Sequence, residues 1–133
     1  FCRRRSKKFL GNFSDKAMPI LAESGKDVYK TLIVASIIEK EVPFQEDRHL
    51  VAGILYKRLE ISMPLQVDAY PWTYDHYGLP SKPIANPGEG AILAAANPKS
   101  SPYLYYLSDP KTKRTIFSKT FEEHVANKMK YLQ

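Results

Sequence analysis

Residues 28–41, "VYKTLIVASIIEKE", run apolar through Leu32, Ile33, Val34, Ala35, Ile37 and Ile38 and then end on Glu39, Lys40 and Glu41. Ser24-Gly25 breaks the chain before them, Asp27 is a fitting N-cap, and Pro43 stops the helix that this pattern predicts. Leu50, Val51, Ile54, Leu55, Arg58 and Leu59 recur at spacings of three and four, which predicts a second helix over 46–60. From 62 to 88 the pattern dissolves. Prolines 64, 71, 80, 83 and 87, with Gly78 and Gly88, exclude long regular elements there, and Tyr70, Trp72, Tyr74 and Tyr77 sit among them. "GAILAAANP" (90–98) reads as a short helix, and "YLYYLSD" and "RTIFS" read as strands joined by the turn "DPKTK". "TFEEHVANKMKYL" opens with a capping box, Thr120 and Glu123, and predicts a last helix.

The expected class is α+β: several helices, one small antiparallel hairpin or sheet, and a long Pro/Gly-rich irregular loop. The expected organisation is a basic helix or linker over 1–26 and one domain over 27–133. No internal repeat or low-complexity tract is visible.

Length and composition agree with a single folded unit. A chain of 133 residues, 44% hydrophobic and 26% charged, buries roughly two-thirds of its unfolded surface in one core and does not read as disordered. The net charge of +6 favours acidic partners such as nucleic acid, anionic lipid or anionic glycans. Cys2 is alone, so no internal disulfide forms and the redox compartment is not legible. No apolar run approaches the ~18 residues that span a bilayer. The opening "FCRRRSKKFL" lacks the apolar segment of a secretory signal. A start at Phe suggests a fragment or a processed chain, with the basic stretch as a solvated linker to a missing anchor.

Glu39 and Glu41 pose the chemical question, because burying a carboxylate is costly unless it is paired or neutralised. At about 100° per residue, Val28, Leu32 and Ala35 share a side with Glu39, whereas Val34 and Ile37 share the other side with Glu41. The two carboxylates therefore diverge and cannot form an intimate acid pair. One of them can occupy a cleft; the other needs a structural partner, such as a cation of the second helix. Two readings stay open at this level. Both glutamates are solvated charges at a helix end, or one carboxyl stands beside aliphatic side chains with a raised pKa and donates a proton near neutrality.

Beyond "ASIIEKE" the order of blocks is distinctive. "ILYKRLEISMPLQVD" (54–68), "TYDHYGLPSKPIANPG" (73–88), "AILAAANP" (91–98), "YLYYL" (103–107) and "FSKTFEEHVAN" (117–127) follow in turn. Together they resemble the catalytic domain of the endolytic murein transglycosylases, the YceG-like family, over about residues 30–132. In that family the second glutamate of the "EKE" block is the catalytic one, which maps to Glu41, with Glu39 in support. The resemblance further implies Gln66 and Asp68, Thr73 and Tyr74, Asn86, and Glu123 and His124 as substrate-contacting or supporting residues. Gly78, Leu79, Pro80, Pro83, Ile84, Pro87 and Gly88 complete the matched loop block. It implies peptidoglycan glycan strands as substrate, no metal or cofactor, and a cell-wall synthase as a conceivable neighbour. Family members carry an amino-terminal membrane helix and a small LysM-like region, so the expected location is the extracytoplasmic face of the cell membrane. Two departures stand out. Only four residues separate Asp68 from Thr73, a shorter segment than usual, and Trp72 occupies the position where an Asn is usual.

Glycoside hydrolases use two carboxyls, about 5 Å apart for retention or about 6.5–9.5 Å for inversion. Lytic transglycosylases, the resemblance implies, use one. It protonates the bridging oxygen, then takes the proton of the 6-hydroxyl of N-acetylmuramic acid, which closes a 1,6-anhydro ring. Diverging glutamates suit that chemistry. The remaining residues have plainer alternatives. The loop aromatics stack on sugars or pack the loop, Asp68 and Asn86 shape turns, His124 packs on its helix, and His49 and His76 lack metal spacing. Two competing readings are a wall-binding module that keeps the fold without turnover, and a nucleic-acid-binding domain. The dispersed positive charge and missing recognition motif argue against the second.

Overall fold

The computed structural model describes residues 17–132, and a helix whose middle two turns have no solvent face runs through its centre. Helix α1 spans Ala17–Ser24 and α2 spans Val28–Glu41. Asp27 caps α2 as its sequence position predicts, its carboxylate accepting from Lys30 N at 2.9 Å. Every residue from Thr31 to Ile38 is buried, and a helix apolar all round belongs inside a fold. Val42, placed before Pro43, sits in the extended region at φ −132° and ψ 108°, and α2 ends there.

α3 (Gln45–Glu60) follows as expected, then a single turn α4 (Trp72–Asp75) inside the stretch that the sequence reads as irregular, and then, in the expected order, α5 (Glu89–Ala96), β1 (Tyr105–Ser108), β2 (Thr115–Ser118) and α6 (Phe121–Tyr131). This is an α+β architecture. The core lies where α1, α2, α3 and α5 meet, around Leu21, Leu32, Ile38, Val51, Leu55 and Ile92. Ala91, Ala94 and Ala95 of α5 are fully buried, and their small side chains let that helix lie close against its neighbours. Gly53 of α3 answers the same need. A Cβ there would overlap the main-chain oxygen of Lys99, in the segment that Lys99 N pins to His49 O at 2.9 Å. Leu21 is 2% exposed, so the core has a member on each side of the 26/27 boundary. The basic first dozen residues and Cys2 lie outside the described residues.

β1 and β2 form a two-stranded antiparallel hairpin in which Tyr106 pairs with Phe117 and Tyr105 with Ser118. Tyr106 and Phe117 pack on the core, whereas Tyr105 meets Phe121 and His124 of α6. The hairpin is moored to α3 through buried Asp47. Asp47 accepts from Arg114 Nε and Nη2 at 3.1 and 3.0 Å and from Thr115 N at 3.1 Å. Thr120 caps α6 as expected, its Oγ1 accepting from Glu123 N at 3.2 Å, while Glu123 Oε2 reaches back one residue further than in a capping box and accepts from Lys119 N at 3.3 Å.

The loop over 62–88 has little regular structure to hold it, and α2 supplies the fastenings. Ser36 Oγ accepts from Ile84 N at 3.0 Å, Glu39 Oε1 from Gly88 N at 2.8 Å, and Glu41 Oε1 from Ala69 N at 2.9 Å. Each satisfies a main-chain N–H that the irregular backbone leaves unpaired. Thr73, fully buried, clamps the short segment from within. Its Oγ1 accepts from Val67 N at 2.9 Å and donates to Tyr70 O at 2.7 Å.

Candidate active site

The last turn of α2 presents its two carboxylates to different parts of the loop, as the helical period requires. Glu39 turns to the start of α5. Gly88, the N-cap of that helix, donates its N–H to Glu39, and Arg48 of α3 brings Nη2 to 3.6 Å of Glu39 Oε2. Arg48 is the cation of the second helix that the divergence of the glutamates asks for. A helix N-terminus and a guanidinium both stabilise a negative charge. Both Glu39 oxygens are thereby engaged, Oε1 by Gly88 N and Oε2 by Arg48.

Glu41 meets a different setting. Among the described residues it forms no ion pair, and its carboxylate accepts from main-chain N–H groups alone, Ala69 N at 2.9 Å and that of Asp68. Burial pushes its carboxyl above the usual glutamate range, and the nearby charge of Asp68 pushes the same way. The main-chain N–H groups of Ala69 and Asp68 oppose the shift without cancelling it. The position adds to this, since the C-terminal end of a helix disfavours negative charge. A carboxyl so placed is a proton donor nearer to neutrality than a free glutamate.

Three further groups complete the setting. Tyr74, half-exposed on α4, donates its hydroxyl to Asp68 Oδ1, and burial with that carboxylate pushes the phenol up to about 12. Tyr106 of β1 feels Glu41, Arg58, Asp68 and Tyr74 together, and burial drives its phenol far above the usual range. Arg58, 3% exposed, bonds main-chain oxygens among the described residues and no carboxylate. It donates Nε to Leu104 O at 3.0 Å and Nη1 to Leu65 O at 2.7 Å, and lies 5.5 Å from the Tyr105 ring centre. Ser108 Oγ reaches the main-chain oxygen of Glu41 at 3.5 Å and joins β1 to the end of α2.

The residues named from the sequence thus divide by place. Glu41, Asp68 and Tyr74 come together. Thr73 is buried beneath them as the loop clamp. Gln66 is exposed in the left-handed region at φ 53°, between buried Leu65 and Val67; such a backbone costs about 1 kcal/mol in a non-glycine residue. Asn86 is exposed, two residues before Gly88. Glu123 holds the α6 cap, and His124 stacks on Tyr105 at 5.2 Å, so the contacts of both run to the hairpin and to their own helix. Burial, with Lys128 and Arg58 beside it, lowers the His124 pKa. Trp72 lies stacked on His76, centroids 4.2 Å apart and planes 3° apart, with Tyr70 at 5.9 Å. Arg58 and Tyr106 are missing from the sequence reading. Arg58 offers one signal, a cation at an apolar position of the α3 period; Tyr106 offers none beyond its place in a strand. Among the described residues no group of three or more His, Cys, Asp or Glu could hold a metal.

The chain matches the YceG-like family over residues 2–71 and 70–130. It belongs to that family. This YceG-like chain is 35% identical over 127 residues to the endolytic murein transglycosylase of Bacillus subtilis (strain 168), covering 79% of itself and 35% of that protein. With the endolytic murein transglycosylase of Streptococcus pneumoniae serotype 2 (strain D39 / NCTC 7466) it shares 28% over 127 residues, covering 75% and 23%. A crystal structure of a YceG-like protein from Listeria monocytogenes superimposes with a TM-score of 0.75 at 36% identity, over 84% of this chain and 44% of that one. The chain therefore spans about a third or less of the length of these two transglycosylases.

Proposed function

We propose that this chain carries the catalytic centre of an endolytic lytic transglycosylase that cuts peptidoglycan strands, with Glu41 as the one acid–base group. The observation that supports this most is the contrast within one helical turn. Glu39 is engaged by Arg48 and Gly88 N, while Glu41 is half-buried, without an ion pair among the described residues, and raised in pKa. The Bacillus and Streptococcus relatives, both named endolytic murein transglycosylases, supply the substrate class.

In this reading Glu41 enters protonated and gives its proton to the bridging oxygen between N-acetylmuramic acid and N-acetylglucosamine as that bond breaks. The resulting carboxylate is held by Ala69 N–H and takes the proton of the sugar's own 6-hydroxyl. That oxygen closes on the anomeric carbon. The acid is restored, no water is consumed, and the strand ends in a 1,6-anhydro sugar. General acid–base assistance of this kind is worth about 100- to 10,000-fold. Asp68 keeps the Glu41 proton in place by its charge, and Tyr74 orients Asp68. Gln66, Asn86, Glu123 and His124 are proposed as flanking or supporting positions. No helix among the described residues is long and apolar enough to cross a membrane; the extracytoplasmic membrane location is proposed for the whole protein, through an anchor outside these residues.

A hydrolase reading has one observation in its favour, the second carboxylate of Asp68 beside Glu41. Mass spectrometry of the products of purified glycan strands separates the two. Transglycosylation gives termini lighter by one water than the reducing ends of hydrolysis, and Glu41→Gln gives neither. Reducing ends from the unaltered chain would support the hydrolase; cleavage by Glu41→Gln would remove Glu41 from the chemistry.

A further inference from the structure

Trp72 is the chain's single tryptophan, and the fold leaves it 37% exposed. Tyr74 and Tyr77, in the same segment, are 47% and 70% exposed. Large apolar side chains gathered on a surface mark a place that a ligand or partner covers. Trp72 differs from a loose surface ring. It lies flat against His76, centroids 4.2 Å apart and planes 3° apart, and His76 Nδ1 lies 2.9 Å from the main-chain oxygen of Trp72. The imidazole is thus tied to the backbone of the residue on which it stacks. Buried Thr73 anchors the same turn from below, through Val67 N and Tyr70 O. The stack is held in place yet open to solvent, since His76 is exposed as well.

Its place relative to Glu41 says what the stack is built to meet. On a helical turn, side chains two residues apart diverge by about 200°, so Trp72 and Tyr74 leave α4 on opposite flanks of Thr73. Tyr74 takes the flank of Asp68 and Glu41, whose charges both act on its phenol. Trp72 takes the other flank, with Tyr70 at 5.9 Å. The exposed aromatic surface therefore continues away from Glu41 across α4. A polymer of sugars suits that layout: with one linkage at Glu41, the units to one side of it run over α4. The faces of a pyranose carry C–H groups, apolar and slightly positive, and the face of an indole is apolar and slightly negative. A ring already held in place also loses little freedom when the sugar arrives.

We propose that the Trp72–His76 stack is a second seat for the glycan strand, on which a sugar ring away from the scissile linkage lies against the aromatic surface. The inference rests on the proposed glycan substrate and stands whether or not the chain turns that substrate over. Trp72 acts here in binding and does not touch the reacting atoms.

The test titrates purified peptidoglycan glycan strands into the Glu41→Gln chain and reads tryptophan emission together with calorimetric affinity. Because Trp72 is the only tryptophan, the emission reports this spot alone. Strand binding is expected to move it to shorter wavelength as the indole leaves water. Trp72→Ala in the same background is expected to weaken calorimetric binding about tenfold, the worth of one good aromatic contact, and Trp72→Phe, which keeps an aromatic face, to weaken it less. The urea midpoint of both is expected to stay near that of the parent, since the indole lies outside the core cluster. Binding with no change of emission, undiminished affinity of Trp72→Ala, or a midpoint that falls together with affinity would each overturn the inference. Absence of any strand binding would overturn the glycan reading and the inference with it. Cleavage by the unaltered chain is read separately and bears on the catalytic reading alone.

Discussion

Glu39 and Glu41 stand two residues apart on α2, and the fold treats them in opposite ways. Glu39 receives partners for both of its oxygens: a guanidinium at 3.6 Å, and a main-chain N–H at 2.8 Å from the start of α5. Glu41 receives burial, a neighbouring negative charge and the end of a helix, relieved in part by the main-chain N–H groups of Ala69, at 2.9 Å, and Asp68. The difference arises from the helical period alone, since about 200° of rotation separates the two side chains. In the proposed reading, one turn of helix supplies both a loop fastening and a proton carrier. Both bind the same loop, Glu39 at Gly88 and Glu41 at Ala69, so the fastening residue also positions the proposed acid.

The sharpest way to break this contrast is Glu41→Gln. Strand cleavage is expected to fall by about 100- to 10,000-fold, measured as release of glycan termini. Stability should move the other way. A carboxyl whose folded pKa lies above its unfolded value contributes most below the unfolded value and loses that contribution as pH rises through the folded one. Removing the charge therefore preserves or raises the urea midpoint at neutral pH, and a lowered midpoint would show that Glu41 is structural.

Glu39→Ala should do the reverse, costing about 1–2 kcal/mol of stability through the lost charged hydrogen bond and a partly exposed ion pair. Its effect on cleavage should follow the loss of loop order and stay well short of that of Glu41→Gln. Equal catalytic losses in the two variants would erase the distinction drawn here. Asp68→Asn is the mildest change. It removes the charge that helps to hold the Glu41 proton, so the alkaline limb of the pH–rate profile should move to lower pH. An upward move would mean that Asp68 acts otherwise.

Much of this was legible in the residues because the rules involved are local. Asp27 and Thr120 cap helices by bonding to groups three residues away, and the "DPKTK" turn with its flanking strands is a short-range pattern. The divergence of the glutamates and the need of Glu39 for a cation from the second helix follow from periodicity, and Arg48 meets that need. The loop was legible only as irregular. The helical turn at Trp72–Asp75 and the fastenings Ser36–Ile84 and Thr73–Val67 depend on where an aperiodic backbone happens to place its N–H groups. Arg58 illustrates the limit best. Its position in the α3 period marks it as inward-facing, yet its acceptors are main-chain oxygens of Leu65 and Leu104, which no side-chain pattern reveals. The meeting of Tyr106 with the same cluster joins residues far apart in the chain, Glu41, Arg58, Asp68 and Tyr74, and that requires the fold.

The central claim is that burial keeps the Glu41 carboxyl protonated beyond the ordinary range of a glutamate, which lies near pH ~4.3. Carbon-13 NMR titration of the side-chain carboxyls, with Glu41→Gln used to identify the Glu41 resonance, measures this directly. The account predicts a Glu41 midpoint clearly above that range; a midpoint at or below it would contradict the account.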